Sequence, residues 1–206
     1  MSQKLKKIGV LISGRGSNLA AIIQAINEKK LQAEIPLVIS NNPVAKGLEI
    51  ANEAGIASLA IDPKAYITTQ RYEAAICMQL KEAKVDYIVL AGYMKLLGDT
   101  MFQMFKGKIL NIHPSLLPKF KGLKAQRQAL EAKEKESGCT VHFVTPEMDA
   151  GPIIAQASVP IKEGDNEQRL SERILSVEHQ LYPKAIAEVI EGKFENIVKK
   201  LQNIKY

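Results

Sequence analysis

Asn111 and His113 stand two residues apart in Asn111-Ile112-His113-Pro114-Ser115-Leu116-Leu117-Pro118, directly after the apolar run Ile109-Leu110. Two residues is the side-chain period of a strand, so an amide and an imidazole share one face if the strand continues that far. Pro114 and Pro118 argue against regular structure beyond it. Strand ends are where open α/β sheets keep their sites. Asp149, in Met148-Asp149-Ala150-Gly151-Pro152, would complete an acyl-transfer set. An asparagine amide can donate to a developing oxyanion without carrying charge. Imidazole moves protons near neutral pH. A carboxylate can orient and stabilise the imidazolium, or hold a water that relays protons. No serine or cysteine stands out as a covalent nucleophile, which favours direct attack by an amine of the substrate. The plainer alternative makes His113 a structural hydrogen-bonding residue.

A second candidate is the loop Ser13-Gly14-Arg15-Gly16-Ser17-Asn18, between a first strand and a helix. Its glycines permit close backbone approach, and a helix start presents amide hydrogens suited to an anion. A plain tight turn with Ser17 or Asn18 as an ordinary helix cap fits as well. The spacing is neither a dinucleotide fingerprint nor a Walker loop, which disfavours a dehydrogenase.

The elements that must position these groups alternate. Strands are expected at 8–12, 35–40, 57–61, 87–91 and 108–112. Helices are expected at 18–28, 45–54, 68–81 and 98–105. This repetition implies an α/β fold: a three-layer, open, mostly parallel twisted sheet of Rossmann-like type. The pattern then changes to a helix at 126–133 and strands at 140–144 and 153–159, read as a hairpin or as two late edge strands. A long helix follows from Asn166 to about Ile190, with Pro183 either absorbed by a kink or marking a new start. A last amphipathic segment spans 194–201.

With 206 residues and 46% hydrophobic content, the chain suits a single domain with one sizeable core. No run approaches a membrane span, and the basic start leads into too short an apolar stretch for a secretory signal. Cys77 and Cys139 form no metal-type pair, and only three histidines are present, so no metal is expected. Buried thiols fit a reducing cytoplasm. The net charge of +6 suits an anionic small substrate, although much of it lies on Lys4, Lys6, Lys7, Lys29, Lys30, Lys199, Lys200 and Lys205, as solvated termini and helix ends carry.

The chain resembles the folate-dependent phosphoribosylglycinamide formyltransferases of purine synthesis over about residues 7–190. The residues that carry the resemblance are the 13–18 loop, Ala91-Gly92-Tyr93-Met94, Asn111 through Pro118, His142-Phe143-Val144, Asp149 with Gly151-Pro152, and Glu178-His179 before Leu181-Tyr182-Pro183. The resemblance implies formyl transfer from the co-substrate 10-formyltetrahydrofolate to the primary amine of glycinamide ribonucleotide, without a metal. It implies catalytic roles for Asn111, His113 and Asp149. It places Gly14, Arg15, Gly16, Ser17, Asn18 and Glu178 against the amine substrate. Met94, Lys95, Leu96, Leu97, Asn111, Val144, Thr145, Pro146, Glu147, Met148 and Asp149 fall on the folate pocket. It further divides the chain into a phosphate-binding half over about 1–110, a catalytic and folate-binding half over about 111–190, and a helical extension over 191–206. Lys121-Gly122 and Lys124-Ala125-Gln126 depart from the proline and histidine that relatives tend to carry there.

Rival readings are a formyltetrahydrofolate hydrolase, with water attacking, and a methionyl-transfer-RNA formyltransferase. The first usually has an extra N-terminal domain and the second a longer C-terminal one, and neither is expected here. A non-catalytic binding module for a phosphate ligand is the reading from a different class. A cytoplasmic monomer or homodimer is expected, with neither nucleic acid nor a membrane as partner.

Overall fold

The computed structural model describes residues 5–204; Lys4 and Lys205 of the basic termini lie outside the described residues. Strands and helices alternate as β1 (Lys6–Ile12), α1 (Ser17–Asn27), β2 (Ala33–Ser40), α2 (Lys46–Glu53), β3 (Ser58–Ala60), α3 (Thr69–Glu82), β4 (Tyr87–Leu90), α4 (Asp99–Met104) and β5 (Ile109–His113). The chain continues with α5 (Ala125–Glu131), β6 (Glu136–Phe143), β7 (Ile153–Pro160), α6 (Glu167–Ile190) and α7 (Glu195–Gln202). The seven-stranded sheet has the order β3-β2-β1-β4-β5-β6-β7. The first five strands run parallel, and β6 and β7 each reverse direction against their neighbour. This is the open α/β sheet expected from the alternation, and the two late strands extend it at one edge as an antiparallel pair.

The sheet is buried on both faces, as parallel strands require. Ile8, Val10, Ile12, Leu110 and Ile112 join Leu19 and Ile22 of α1 and Leu170, Ile174 and Ile186 of α6 in one apolar cluster. Leu11, Ile39, Ile88, Leu90 and Ile109 join Tyr72, Ile76 and Leu80 of α3 and Met101 and Phe102 of α4 in the other. Adjacent residues of β1 and of β5 therefore feed opposite layers. By this alternation Asn111 and His113 share the α3–α4 face with Ile109.

Two details differ from the sequence pattern, and a third decides between the alternatives left open at Pro183. Strand β6 starts at Glu136, four residues before the expected Thr140. Glu136-Ser137-Gly138 has weak strand propensity, but a Cβ on Gly138 would lie 2.1 Å from the Ala157 carbonyl oxygen, so only glycine admits the close approach of β7. The residue before α1 is Gly16, in the left-handed region at φ 77°, and no side chain caps the helix; the ordinary Ser17 or Asn18 cap is not formed. Helix α6 runs unbroken through Pro183 as one helix of 24 residues, started by the Asn166 side chain accepting from Arg169 N–H.

Tyr182, fully buried on α6, reaches into the sheet, where its hydroxyl lies 2.9 Å from the Leu90 carbonyl and 3.1 Å from that of Leu110. It fastens the last long helix to β4 and β5 one residue before Ala91 and Asn111. Helix α7 adds Val198 and Leu201 to the α1–α6 cluster.

Candidate active site

Strand β5 carries regular pairing through His113, so Pro114 ends the strand just after the polar pair. The antiparallel register sets Asn111 opposite His142 and His113 opposite Thr140. Asn111 Nδ2 lies 3.2 Å from His142 Nε2, and His142 Nδ1 lies 2.9 Å from the Phe143 carbonyl. A carbonyl only accepts, so Nδ1 holds the proton and Nε2 accepts from the Asn111 amide. Burial pushes the His142 imidazole below its ordinary range, against smaller opposing effects of the Phe143 carbonyl and the Asp149 charge.

Asp149 brings the loop after β6 onto this pair. Its Oδ2 lies 3.4 Å from His113 Nδ1 and accepts from Gly122 N–H at 2.8 Å, while Oδ1 lies 3.7 Å from His142 Nε2. Asp149 sits in the left-handed region at φ 50°, which short polar side chains tolerate. His113 Nε2 donates to the Phe120 carbonyl at 2.9 Å. The nitrogen left for chemistry is Nδ1, beside the carboxylate. Asn111, His113 and Asp149, predicted from separate stretches, thus form one cluster.

The cluster lines one of two adjoining cavities. One, of about 400 Å³, is lined by the 13–18 loop, Pro114, Gln126 and Glu178. Gly16 lets the loop approach α2, since a Cβ on it would lie 2.5 Å from the Gly47 Cα, and Gly47 N–H donates to the Gly14 carbonyl at 3.0 Å. The uncapped first turn of α1 opens toward this space, as an anion site requires. Asn18 turns its side chain to Glu178, donating from Nδ2 to Oε2 at 2.8 Å; both residues are buried. Burial raises the Glu178 carboxyl above its usual range, partly countered by the Asn18 bond and by the charges of His113 and Arg15. Asn18 Oδ1 is buried with no partner among the described residues, an acceptor left for a ligand donor.

The other cavity, of about 440 Å³, is lined by Tyr93 to Leu97, Asn111, His113, Leu123, His142, Val144 to Pro146, Met148 and Asp149. Met94, Leu96, Leu123 and Met148 are exposed, so an apolar rim surrounds the polar cluster. Gly92, Met94, Ile112, Pro114 and Gln126 line both cavities. Each cavity draws on residues before and after position 110. Glu147 stands apart from the other expected pocket residues: it is exposed, outside the lining, and pairs with Lys121 at 3.2 Å.

The sequence leaves His142 as a core or supporting group, because its place beside Asn111 follows from the β5–β6 register. It also sets the Lys121–Gln126 departures at the periphery. The structure brings that loop inward: Gly122 N–H touches Asp149, and Gln126 lines both cavities. His179 lines a separate groove between α1 and α6. Among the described residues, no group of three or more histidine, cysteine or acidic side chains is placed to hold a metal ion, and no helix is long and apolar enough to cross a membrane.

Residues 6–186 match the family described as formyl transferase. The trifunctional purine biosynthetic protein adenosine-3 of Drosophila melanogaster is 48% identical over 194 residues, 93% of this chain and 14% of that protein. The human protein of the same name is 45% identical over 92% of this chain, which spans 19% of it. The chain thus covers under a fifth of the length of these trifunctional relatives. The phosphoribosylglycinamide formyltransferase of Bacillus subtilis is 44% identical over 186 residues, 90% of this chain and 95% of that protein. The crystal structure of glycinamide ribonucleotide transformylase 1 from Symbiobacterium toebii superposes with a TM-score of 0.90 at 50% identity, covering 91% of this chain and 89% of that one.

Proposed function

Because the chain belongs to the formyl transferase family, we propose that it transfers the formyl group of 10-formyltetrahydrofolate to the primary amine of glycinamide ribonucleotide, a step of de novo purine synthesis. The products are tetrahydrofolate and formylglycinamide ribonucleotide. The observation that carries this reading is the Asn111–His113–Asp149 cluster in a cavity rimmed by apolar side chains, which shares Ile112 and Pro114 with a second cavity at the uncapped start of α1. The names of relatives that the chain covers over most of their length support glycinamide ribonucleotide as the formyl acceptor.

In this reading the amine nitrogen attacks the formyl carbon, and the carbonyl electron pair moves onto oxygen. One Asn111 amide hydrogen is committed to His142, and the other donates to the oxyanion. Collapse breaks the bond from the formyl carbon to the folate nitrogen. The attacking nitrogen loses a proton and the leaving nitrogen gains one, with His113 Nδ1 and Asp149 as the groups that hold it between. Gly14 to Ser17 receive the phosphate, and Asn18 and Glu178 orient the rest of the amine substrate. Met94 to Leu97 and Val144 to Met148 enclose the folate, with Glu147 bracing the loop through Lys121. The same reading takes the protein as a cytoplasmic monomer or homodimer that needs no metal, nucleic acid or membrane.

The test follows deformylated folate with and without glycinamide ribonucleotide. Turnover that requires the amine supports the proposal. Equal turnover without it would replace transfer by hydrolysis, and tight binding of a phosphate ligand with no turnover would leave a binding module.

A further inference from the structure

The segment between β4 and α4, which walls the larger cavity, is pinned by three groups outside the 92–98 loop. Met94 N–H donates to Ser13 Oγ at 2.8 Å. The Tyr93 hydroxyl meets that of Tyr72, on α3, at 2.7 Å. Gly98 N–H donates to a carboxylate oxygen of Glu73, also on α3. Glu73 is only 2% exposed. A carboxylate taken that far from water is costly unless hydrogen-bonded, and here the bond runs to a loop backbone. A Cβ on Gly98 would lie 3.0 Å from both Glu73 oxygens, so the loop main chain rests directly on the carboxylate. Between the pins, Leu96 is exposed and the Lys95 ammonium lies 5.5 Å over the Tyr72 ring. Residues 95–97 line the folate-side cavity and are absent from the lining of the amine-side cavity, which reaches only Gly92 and Met94.

We propose that Glu73 is a positioning residue for the formyl donor: through Gly98 N–H it holds the 95–98 main chain in place, so that this cavity wall is formed before the donor arrives. The proposal rests on the folate reading of that cavity. Glu73 itself lines neither cavity, and its effect passes through the loop. Preorganising a binding wall lowers the ordering cost of association.

The experiment compares wild type, Glu73→Ala and Glu73→Gln by calorimetric titration with tetrahydrofolate, steady-state kinetics in both substrates, and amide hydrogen exchange. Glu73→Ala should weaken tetrahydrofolate binding and raise the donor KM about tenfold, with the KM of the amine substrate within about twofold. Exchange should quicken across 93–98 while β1 and β4 keep their protection. Glu73→Gln keeps an oxygen acceptor at the same place and should recover most of the affinity. An alanine variant that keeps donor affinity, one in which both KM values rise together, or a glutamine variant no better than alanine would overturn the proposal. If Glu73→Ala fails to fold, Gly98→Ala, which lifts the loop off the carboxylate, must show the same selective loss or the proposal falls. A wild type that binds tetrahydrofolate but transfers no formyl group sinks the proposed reaction and leaves the Glu73 comparison readable by binding. A wild type that binds no tetrahydrofolate sinks both.

Discussion

Asn111 and His142 face each other across the β5–β6 ladder, with the amide nitrogen 3.2 Å from an imidazole nitrogen that can only accept. The contact fixes which end of the Asn111 amide is nitrogen and where its second hydrogen points. An amide free to flip would offer the substrate oxygen a donor only part of the time.

Asn111→Ala should therefore keep the fold and lose about two orders of magnitude in kcat, the usual cost of one oxyanion donor. Steady-state rates alongside a thermal melt check this. Turnover close to wild type would remove Asn111 from the reaction.

The protonation of His142 makes a separate prediction, about stability. Burial lowers its folded value from 6.5, so in the window just below 6.5 the unfolded chain binds more protons than the folded one. The stability linked to this group is fully present above 6.5 and is lost as pH falls through the lowered folded value. Denaturant midpoints of wild type and His142→Gln, taken from about pH 7.5 to about pH 5, should diverge, with the wild type falling faster. Parallel curves would show that His142 carries no such linkage.

Asp149→Asn keeps an oxygen for Gly122 N–H and tolerates the left-handed backbone at φ 50°, yet removes the charge beside His113. Turnover should fall about a hundredfold, as for loss of a proton-handling group, with little change in melting temperature. An asparagine variant as fast as wild type would show that the carboxylate acts only as a loop clamp.

At the sheet edge, Gly138→Ala would press a methyl group against the Ala157 carbonyl oxygen, 2.1 Å away. The backbone of β7 must move, at a cost of about 2–3 kcal/mol in unfolding free energy. An unchanged denaturant midpoint would mean that β7 yields freely.

Much of this architecture is legible in the chain because apolar residues repeat with a clear period: Leu19 and Ile22 in α1, Tyr72, Ile76 and Leu80 in α3, Leu170 and Ile174 in α6. The parallel strands, buried on both faces, read as short apolar runs. The start of β6 is hidden because Gly138 serves a close approach that only three dimensions reveal. Within the site, Asn111 and His113 are legible by their two-residue spacing. Asp149 is legible as a carboxylate of the right chemistry, but its contact with His113 is not, since nothing local in either stretch points to the other. His142 and Glu73 act through partners 31 and 25 residues away, at Asn111 and Gly98, so their places depend on strand register and on helix-to-loop packing. The exposed Glu147 sits in a contiguous stretch whose other members line the cavity, and sequence adjacency cannot separate them.

The Asn18–Glu178 bond spans 160 positions of the chain. Contacts so far apart in sequence carry a large loop-closure cost and form only once the intervening elements are in place. On a ribosome, a nascent chain that has emerged only as far as β7 already holds Asn111, His113 and Asp149, but lacks the Glu178 carboxylate that lines the cavity beside the 13–18 loop. That cavity is therefore among the last parts of the molecule to mature.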